Sequence, residues 1–167
     1  AEATVYDALV AAFAGEGGVL LDAAEARQLE AAMFGGGKLG PAFVAQSAGT
    51  IAARAGLDRP AVRTAKFLVV AETGVGPEHP FSGEKLSPVL ALYRAENFAA
   101  AAALAARLLH YQGAGHSVGL HTSDPERALQ LGLTLPVCRV IVTQAHSSAP
   151  GASLDTALPF SLPLACS

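Results

Sequence analysis

The sequence predicts an α/β fold, an open and mostly parallel sheet in three layers with helices on both faces. Three observations carry this prediction. The second half of the chain alternates strand, helix, strand, helix and strand signals. The strand runs at 67–71, 88–93 and 137–142 are close to continuously apolar, Arg139 excepted, as in a sheet covered on both faces. Helices placed between such strands imply right-handed crossovers joining parallel neighbours. No internal repeat is present.

Residues 4–13 set Val5, Leu9, Val10 and Phe13 at helical spacing, and Gly15, Gly17 and Gly18 end that helix. Residues 19–21 are a short strand. Asp22 is a good N-cap for a helix through Phe34, which Gly35, Gly36 and Gly37 stop. Residues 43–55 read as a third helix closed by Gly56. After the strand at 67–71, residues 73–87 form a loop dense in Gly and Pro that leads into the strand at 88–93. Residues 97–111 are a long Ala/Leu helix ended by Gly113 and Gly115, and its 98–109 portion reads as buried and amphipathic. A strand at 118–121, a short helix from its Asp124 cap to Leu131, and the strand at 137–142 follow. Within that last run Cys138 is expected to be a buried small hydrophobe. The tail from Ser147 has no helical period. The expected division is one domain over 1–146, with 147–167 as its extended arm.

Length and charge exclude several function classes. A chain of 167 residues suits one domain with a real core. Although 51% of it is hydrophobic, no uncharged apolar run of about 20 residues occurs, and no secretion signal precedes the first helix. We therefore expect no membrane association. Net charge is −3 with Lys and Arg scattered, which offers nucleic acid no basic stripe. Cys138 and Cys166 make neither a disulfide framework nor a metal pattern, which fits a cytoplasmic location. Among the histidines, His116 and His121 have zinc-like spacing. A strand between them would hold them about 16 Å apart, and carboxylate or thiol ligands are lacking, so no metal is expected. The first residue is Ala1 rather than Met, which points to excision, processing or a partial chain.

The loop after the strand at 67–71 carries Glu72, Glu78, His79, Glu84 and Lys85. A loop this long between two buried strands is uncommon unless it is functional, although a solvated surface loop is the competing reading. In open parallel sheets ligands bind where loops leave the carboxyl ends of strands.

The run GEKLSPVLALYR resembles the signature of the aldehyde dehydrogenase superfamily, matched here by Glu84, Leu86, Ser87 and Pro88. The run beginning GHSVGLHT is similar to the coenzyme-A-acylating branch, through Gly115, His116, Ser117, His121 and Thr122. That branch is also matched by Gln144, Ala145 and His146, then by Leu158, Pro159, Phe160, Ser161, Leu162 and Cys166. The variant carrying these runs resembles the sulfoacetaldehyde dehydrogenases. The resemblance implies the C-terminal part of that family's catalytic domain. It implies NAD or NADP as cofactor, coenzyme A as co-substrate, a small aldehyde as substrate and a homo-oligomeric assembly.

In this resemblance Glu84 accepts hydrogen bonds from the nicotinamide ribose, while Leu86 and Pro88 lie beside the cofactor. Leu86 replaces the aromatic residue common there. His116, Ser117, Gln144 and His146 would belong to loops that contact substrate or coenzyme A; for His116 a structural hydrogen bond to the turn backbone is the competing reading. The family's nucleophilic cysteine would lie upstream of Ala1, so this chain is expected to hold no catalytic nucleophile and to be inactive alone. No GxGxxG fingerprint is present. Thr143 stands where the family usually has Asn, and Ala165 and Ser167 stand where it has Gly. The competing class is a non-catalytic α/β binding or assembly module. A flavodoxin-like enzyme ranks below both, because Gly35, Gly36 and Gly37 follow a helix rather than a first strand.

Overall fold

The computed structural model describes residues 1–146. The expected arm at 147–167, with its Leu158 to Leu162 run, Ala165, Cys166 and Ser167, lies outside the described residues. The chain divides into two compact units, Ala1–Leu104 and Ala105–Ser167.

The first unit contains helix α1 (Ala3–Gly15), strand β1 (Gly18–Leu20), helices α2 (Ala23–Phe34), α3 (Ala48–Arg54) and α4 (Pro60–Arg63), and strands β2 (Phe67–Ala71) and β3 (Val89–Leu92). The three strands pair in parallel in the order β1-β2-β3, with Val19 opposite Leu68 and Val69 opposite Leu90. Successive residues of β2 face opposite sides of the sheet. Leu68 and Val70 enter a core with Leu29 and Met33 of α2, Ile51 and Ala52 of α3, and Val62 of α4. On the other side Phe67 packs edge-to-face on Phe13 of α1, ring centres 5.5 Å apart. Helices thus cover both faces of the central strand, as the continuous apolar run required.

The first residues are pinned to the end of β3. The terminal ammonium donates to Tyr93 O at 2.8 Å, and Ala3 N donates to Ala95 O at 2.7 Å.

The Asp22 cap forms as expected and closes a full capping box. Its carboxylate accepts from Ala24 N and Glu25 N, while Glu25 Oε2 accepts from Asp22 N. Arg59, 34 residues on, grips both oxygens of Glu25 at 2.8 and 2.7 Å and donates to Leu20 O at 3.0 Å. One guanidinium therefore joins the end of β1, the start of α2 and the start of α4. The Arg59 hydrogen bond holds the Glu25 carboxyl below its usual range, and the Glu25 amide does the same for Asp22. Folded-state values below the unfolded ones mean that this stabilisation is complete above the unfolded values and is lost as pH falls through the folded ones. The urea midpoint should therefore drop on acidification below pH 4.5, the ordinary glutamate value. Glu25→Gln, which preserves the cap, should flatten that acid limb. Superimposable midpoint-versus-pH curves for the two proteins would show that this pair contributes nothing.

Two expectations are corrected in this unit. The helix expected over 43–55 is split into a 3-10 turn at Pro41–Phe43 and α3, which starts at a Ser47 cap. Ala45 lies between them at φ 55° and donates its amide to Leu86 O at 2.9 Å, a long-range bond that no helix could make there. Helix α4 was not anticipated, although Pro60 at its first turn is a favourable start.

Helix α5 (Phe98–Tyr111) begins with Asn97 Oδ1 accepting from Ala100 N. None of its residues is buried, contrary to the expectation for 98–109. An Ala-rich helix is supported by backbone propensity without needing burial.

The second unit pairs β4 (Ser117–Leu120) with β5 (Arg139–Val142) in parallel, Ser117 opposite Arg139. Helix α6 (Pro125–Thr134) connects them from its Asp124 cap, and Leu131, Leu135 and Ile141 are buried. Cys138 is exposed immediately before β5, so its expected burial is also corrected. Strand β5 begins only at Arg139, and Cys138 reaches the sheet through its amide, which donates to His116 O at 2.8 Å. Among the described residues no helix is long and apolar enough to cross a membrane.

Candidate functional site

The loop between β2 and β3 is a built structure rather than a solvated surface loop. Glu72, the first residue after β2, accepts at Oε1 from Thr73 N (2.7 Å), Gly74 N (3.2 Å) and His79 Nδ1 (2.9 Å). A side chain at position 74 would meet the His79 ring at 2.0 Å, so only glycine admits this pairing. Tyr93 Oη, at the end of β3, donates to Gly74 O at 2.9 Å. Further along, Gly76 N donates to Ser82 Oγ at 3.0 Å, and Phe81 drops into the core.

Lys85 donates from Nζ to Phe81 O and Gly83 O, both at 2.7 Å, and so clamps the 3-10 turn Pro80–Ser82. Burial pushes the Lys85 ammonium below its ordinary range, against the opposing pull of Glu72 and Glu84.

Because β2 and β3 are parallel, this loop must return from the carboxyl end of one to the amino end of the other. Glu72 and His79 lie where it leaves β2. By Pro88 it has reached the other end, where Leu68 N donates to Pro88 O at 2.9 Å. The carboxyl-end rule thus picks out Glu72 and His79, whereas residues 86–88 stand at the amino end of β3. Glu84 is exposed, and Leu86 is 61% exposed at φ 46°. A left-handed, non-glycine residue costs of order 1–3 kcal/mol and persists only when its surroundings hold it. The Ala45 amide on Leu86 O is one such hold. Pro88 is half-buried, and the Ser87 hydroxyl beside it is buried without a partner. A cleft lined by Arg27, Glu30, Phe34, Pro77, Glu78 and Pro80 lies between α2 and the first part of this loop, and neither Glu84 nor Leu86 lines it.

The second unit brings together three of its four expected site residues. Ser117 N donates to His116 Nδ1 at 2.9 Å, and Ser117 Oγ lies 2.5 Å from His146 Nε2. Partial desolvation, then the neighbouring His116 and Arg139, hold the His146 imidazole below its usual range. Gln144 is exposed. Thr143 lies at φ 53° and donates its amide to Leu120 O at 2.8 Å. Asn tolerates this left-handed conformation and a β-branched residue resists it, so the Thr-for-Asn departure falls where the backbone is least forgiving. Among the described residues no three His, Cys, Asp or Glu side chains converge to hold a metal.

Sequence reasoning did not single out Phe81, Tyr93 and Arg59. The available signal for Phe81 was a lone aromatic in a Gly/Pro loop. Arg59 gave none, because its partners lie far away in the chain.

No protein-family model matches the chain. It is, however, 55% identical over 162 residues to the sulfoacetaldehyde dehydrogenase (acylating) of Cupriavidus necator, a match covering 97% of this chain and 33% of that protein. The chain belongs to the acylating aldehyde dehydrogenases. It spans about one third of the length of that relative. The solved acetylating aldehyde dehydrogenase of Geobacillus thermoglucosidasius superposes with a TM-score of 0.79 at 33% identity, covering 84% of this chain and 31% of that one. A probable aldehyde dehydrogenase of Listeria monocytogenes gives 0.79 at 39% identity over the same shares. Family membership and the α/β fold with open parallel sheets follow from these matches.

Proposed function

We propose that this chain supplies part of the catalytic domain of an enzyme converting an aldehyde and coenzyme A to an acyl-coenzyme A, with NAD or NADP as hydride acceptor. The observation that carries this reading is the 55% identity, across 97% of the chain, to a relative named for acylating sulfoacetaldehyde oxidation. Sulfoacetaldehyde is accordingly the first substrate to try.

The residues at the loop fit the dinucleotide. Glu84 presents a carboxylate that can accept sugar hydroxyls, and Leu86 presents an exposed apolar side chain able to lie against a flat ring. When bound, the nicotinamide supplies the redox chemistry, and the protein supplies position. In this proposal Glu84 orients the ribose, Leu86 and Pro88 bound the ring's site, and Lys85 holds the turn that carries them. His116, Ser117, Gln144 and His146 serve the loops that meet the acyl group or coenzyme A.

The covalent step falls to a cysteine outside this chain, whose thiolate would add to the aldehyde carbonyl to give a thiohemiacetal; loss of its hydride to the nicotinamide would leave the acyl thioester that the coenzyme A thiol cleaves. Cys138 and Cys166 take no part in it. We place the enzyme in the cytoplasm as a homo-oligomer. The exposed Leu129 and Leu133, one turn apart on α6, are suited to an interface.

The test has two arms. The isolated 167-residue chain should form no NADH from sulfoacetaldehyde and coenzyme A. A chimera in which it replaces the matching third of the Cupriavidus necator enzyme should form it at a rate within about tenfold of the parent. Turnover by the isolated chain would refute the placement of the nucleophile. A folded chimera that binds neither dinucleotide nor coenzyme A would refute the assignment of these loops.

A further inference from the structure

The geometry points to Ser117 and His146 as positioning residues that fix the tautomer of His116. The inference rests on the preceding reading only for its functional consequence. Its structural content stands on the second unit alone.

The Ser117 backbone amide can only donate, and it donates to His116 Nδ1 at 2.9 Å. That nitrogen must therefore carry the lone pair, and the neutral ring bears its proton on Nε2. His116 is exposed, which leaves the Nε2–H available to a ligand oxygen. Its direction depends on where Ser117 is held at the first position of β4.

His146 supplies the hold from 29 residues away. Ser117 Oγ lies 2.5 Å from His146 Nε2, against 3.3 Å from His116 Nδ1, whose lone pair the amide already occupies. The hydroxyl proton goes to His146, whose neutral form is favoured by its surroundings and presents an acceptor at Nε2. The return of the chain after β5 is what brings His146 here. A side chain at position 119 would sit 3.1 Å from His146 Nδ1, so the bare Gly119 of β4 gives the ring its place. The order of dependence is thus His146, then the Ser117 hydroxyl, then the Ser117 amide, then the His116 proton. An orienting partner of this kind is the usual means of choosing which imidazole nitrogen is the donor.

The tautomer is read directly by long-range nitrogen–proton NMR of the histidine side chains in the 167-residue chain at neutral pH. His116 Nδ1 should resonate as an unprotonated nitrogen and Nε2 as a protonated one. His146→Ala should shift both His116 nitrogens toward the averaged values of a mixed population, while an unchanged backbone amide spectrum for β5 and for β4 beyond Ser117 certifies the fold. His146→Gln, which keeps a side-chain acceptor for the hydroxyl, should restore much of the single-tautomer pattern. A protonated Nδ1 in the starting protein overturns the inference, and so does a His116 signature indifferent to His146→Ala. In the active chimera, His146→Ala should lower kcat roughly tenfold with the KM for dinucleotide unchanged. A chimera without activity whose His116 signature is intact would sink the enzymatic reading and leave this one standing.

Discussion

Phe81→Ala is expected to lower the unfolding free energy by about 3–5 kcal/mol. The ring is 1% exposed and meets Phe34 of α2 edge-to-face, with ring centres 5.4 Å apart. Removing it takes away the transfer free energy of a whole aromatic side chain. It also leaves a cavity in the core that Phe81 shares with Leu29, Met33 and Val89, which close-packed neighbours only partly fill. A domain of ordinary stability has about 5–15 kcal/mol in total, so the first unit should lie near its unfolding threshold in this variant. Urea titration of the isolated chain, followed by circular dichroism, gives the number directly. A loss under about 1 kcal/mol would mean that the ring is not in the core. Phe81 also matters beyond stability, because it anchors the loop three residues before Glu84 and five before Leu86.

Glu84→Gln is the second substitution expected to have a large effect, in the chimera that supports turnover. The change keeps the shape and removes the charge. Hydrogen bonds to a charged acceptor contribute about 1.5–3 kcal/mol, so kcat/KM for the dinucleotide should fall roughly 10- to 150-fold. The KM for coenzyme A should change far less, since the thioester-cleavage step does not use the ribose contact. Dinucleotide saturation curves at fixed aldehyde and coenzyme A separate the two. Equal kcat/KM for NAD in both proteins would remove Glu84 from the cofactor site. Comparing this result with the Phe81→Ala variant is informative, because a disordered loop should raise the dinucleotide KM without any change of charge at position 84.

Much of the local structure was legible in the residues themselves. The continuous apolar run at β2 lies in a covered central strand, and Asp22, Asn97 and Asp124 cap the helices that they were expected to start. Such signals are legible because they depend on neighbours within four residues, where side-chain chemistry acts on its own backbone. Family membership was legible for a related reason. Several short runs occur in one order, and a run needs no knowledge of the fold to be read.

The tertiary structure decided what depends on residues distant in sequence. The amide of Ala45 could have continued a helix, but it is claimed by Leu86 O, and so the expected third helix is two pieces. Arg59 has no local signature, yet it clasps Glu25 and the end of β1. Cys138 has strand-like neighbours on both sides, and only the point where β5 begins pairing leaves it exposed. Ser117 and His146 could each be named from their runs, while their 2.5 Å contact required the chain to turn back after β5. By itself the sequence determined the strands and the capped helices, the parallel α/β class and the family. Where a loop's groups finally point depended on closure of the chain over tens of residues, because a hydrogen-bonding group takes whichever partner the fold brings within 3 Å.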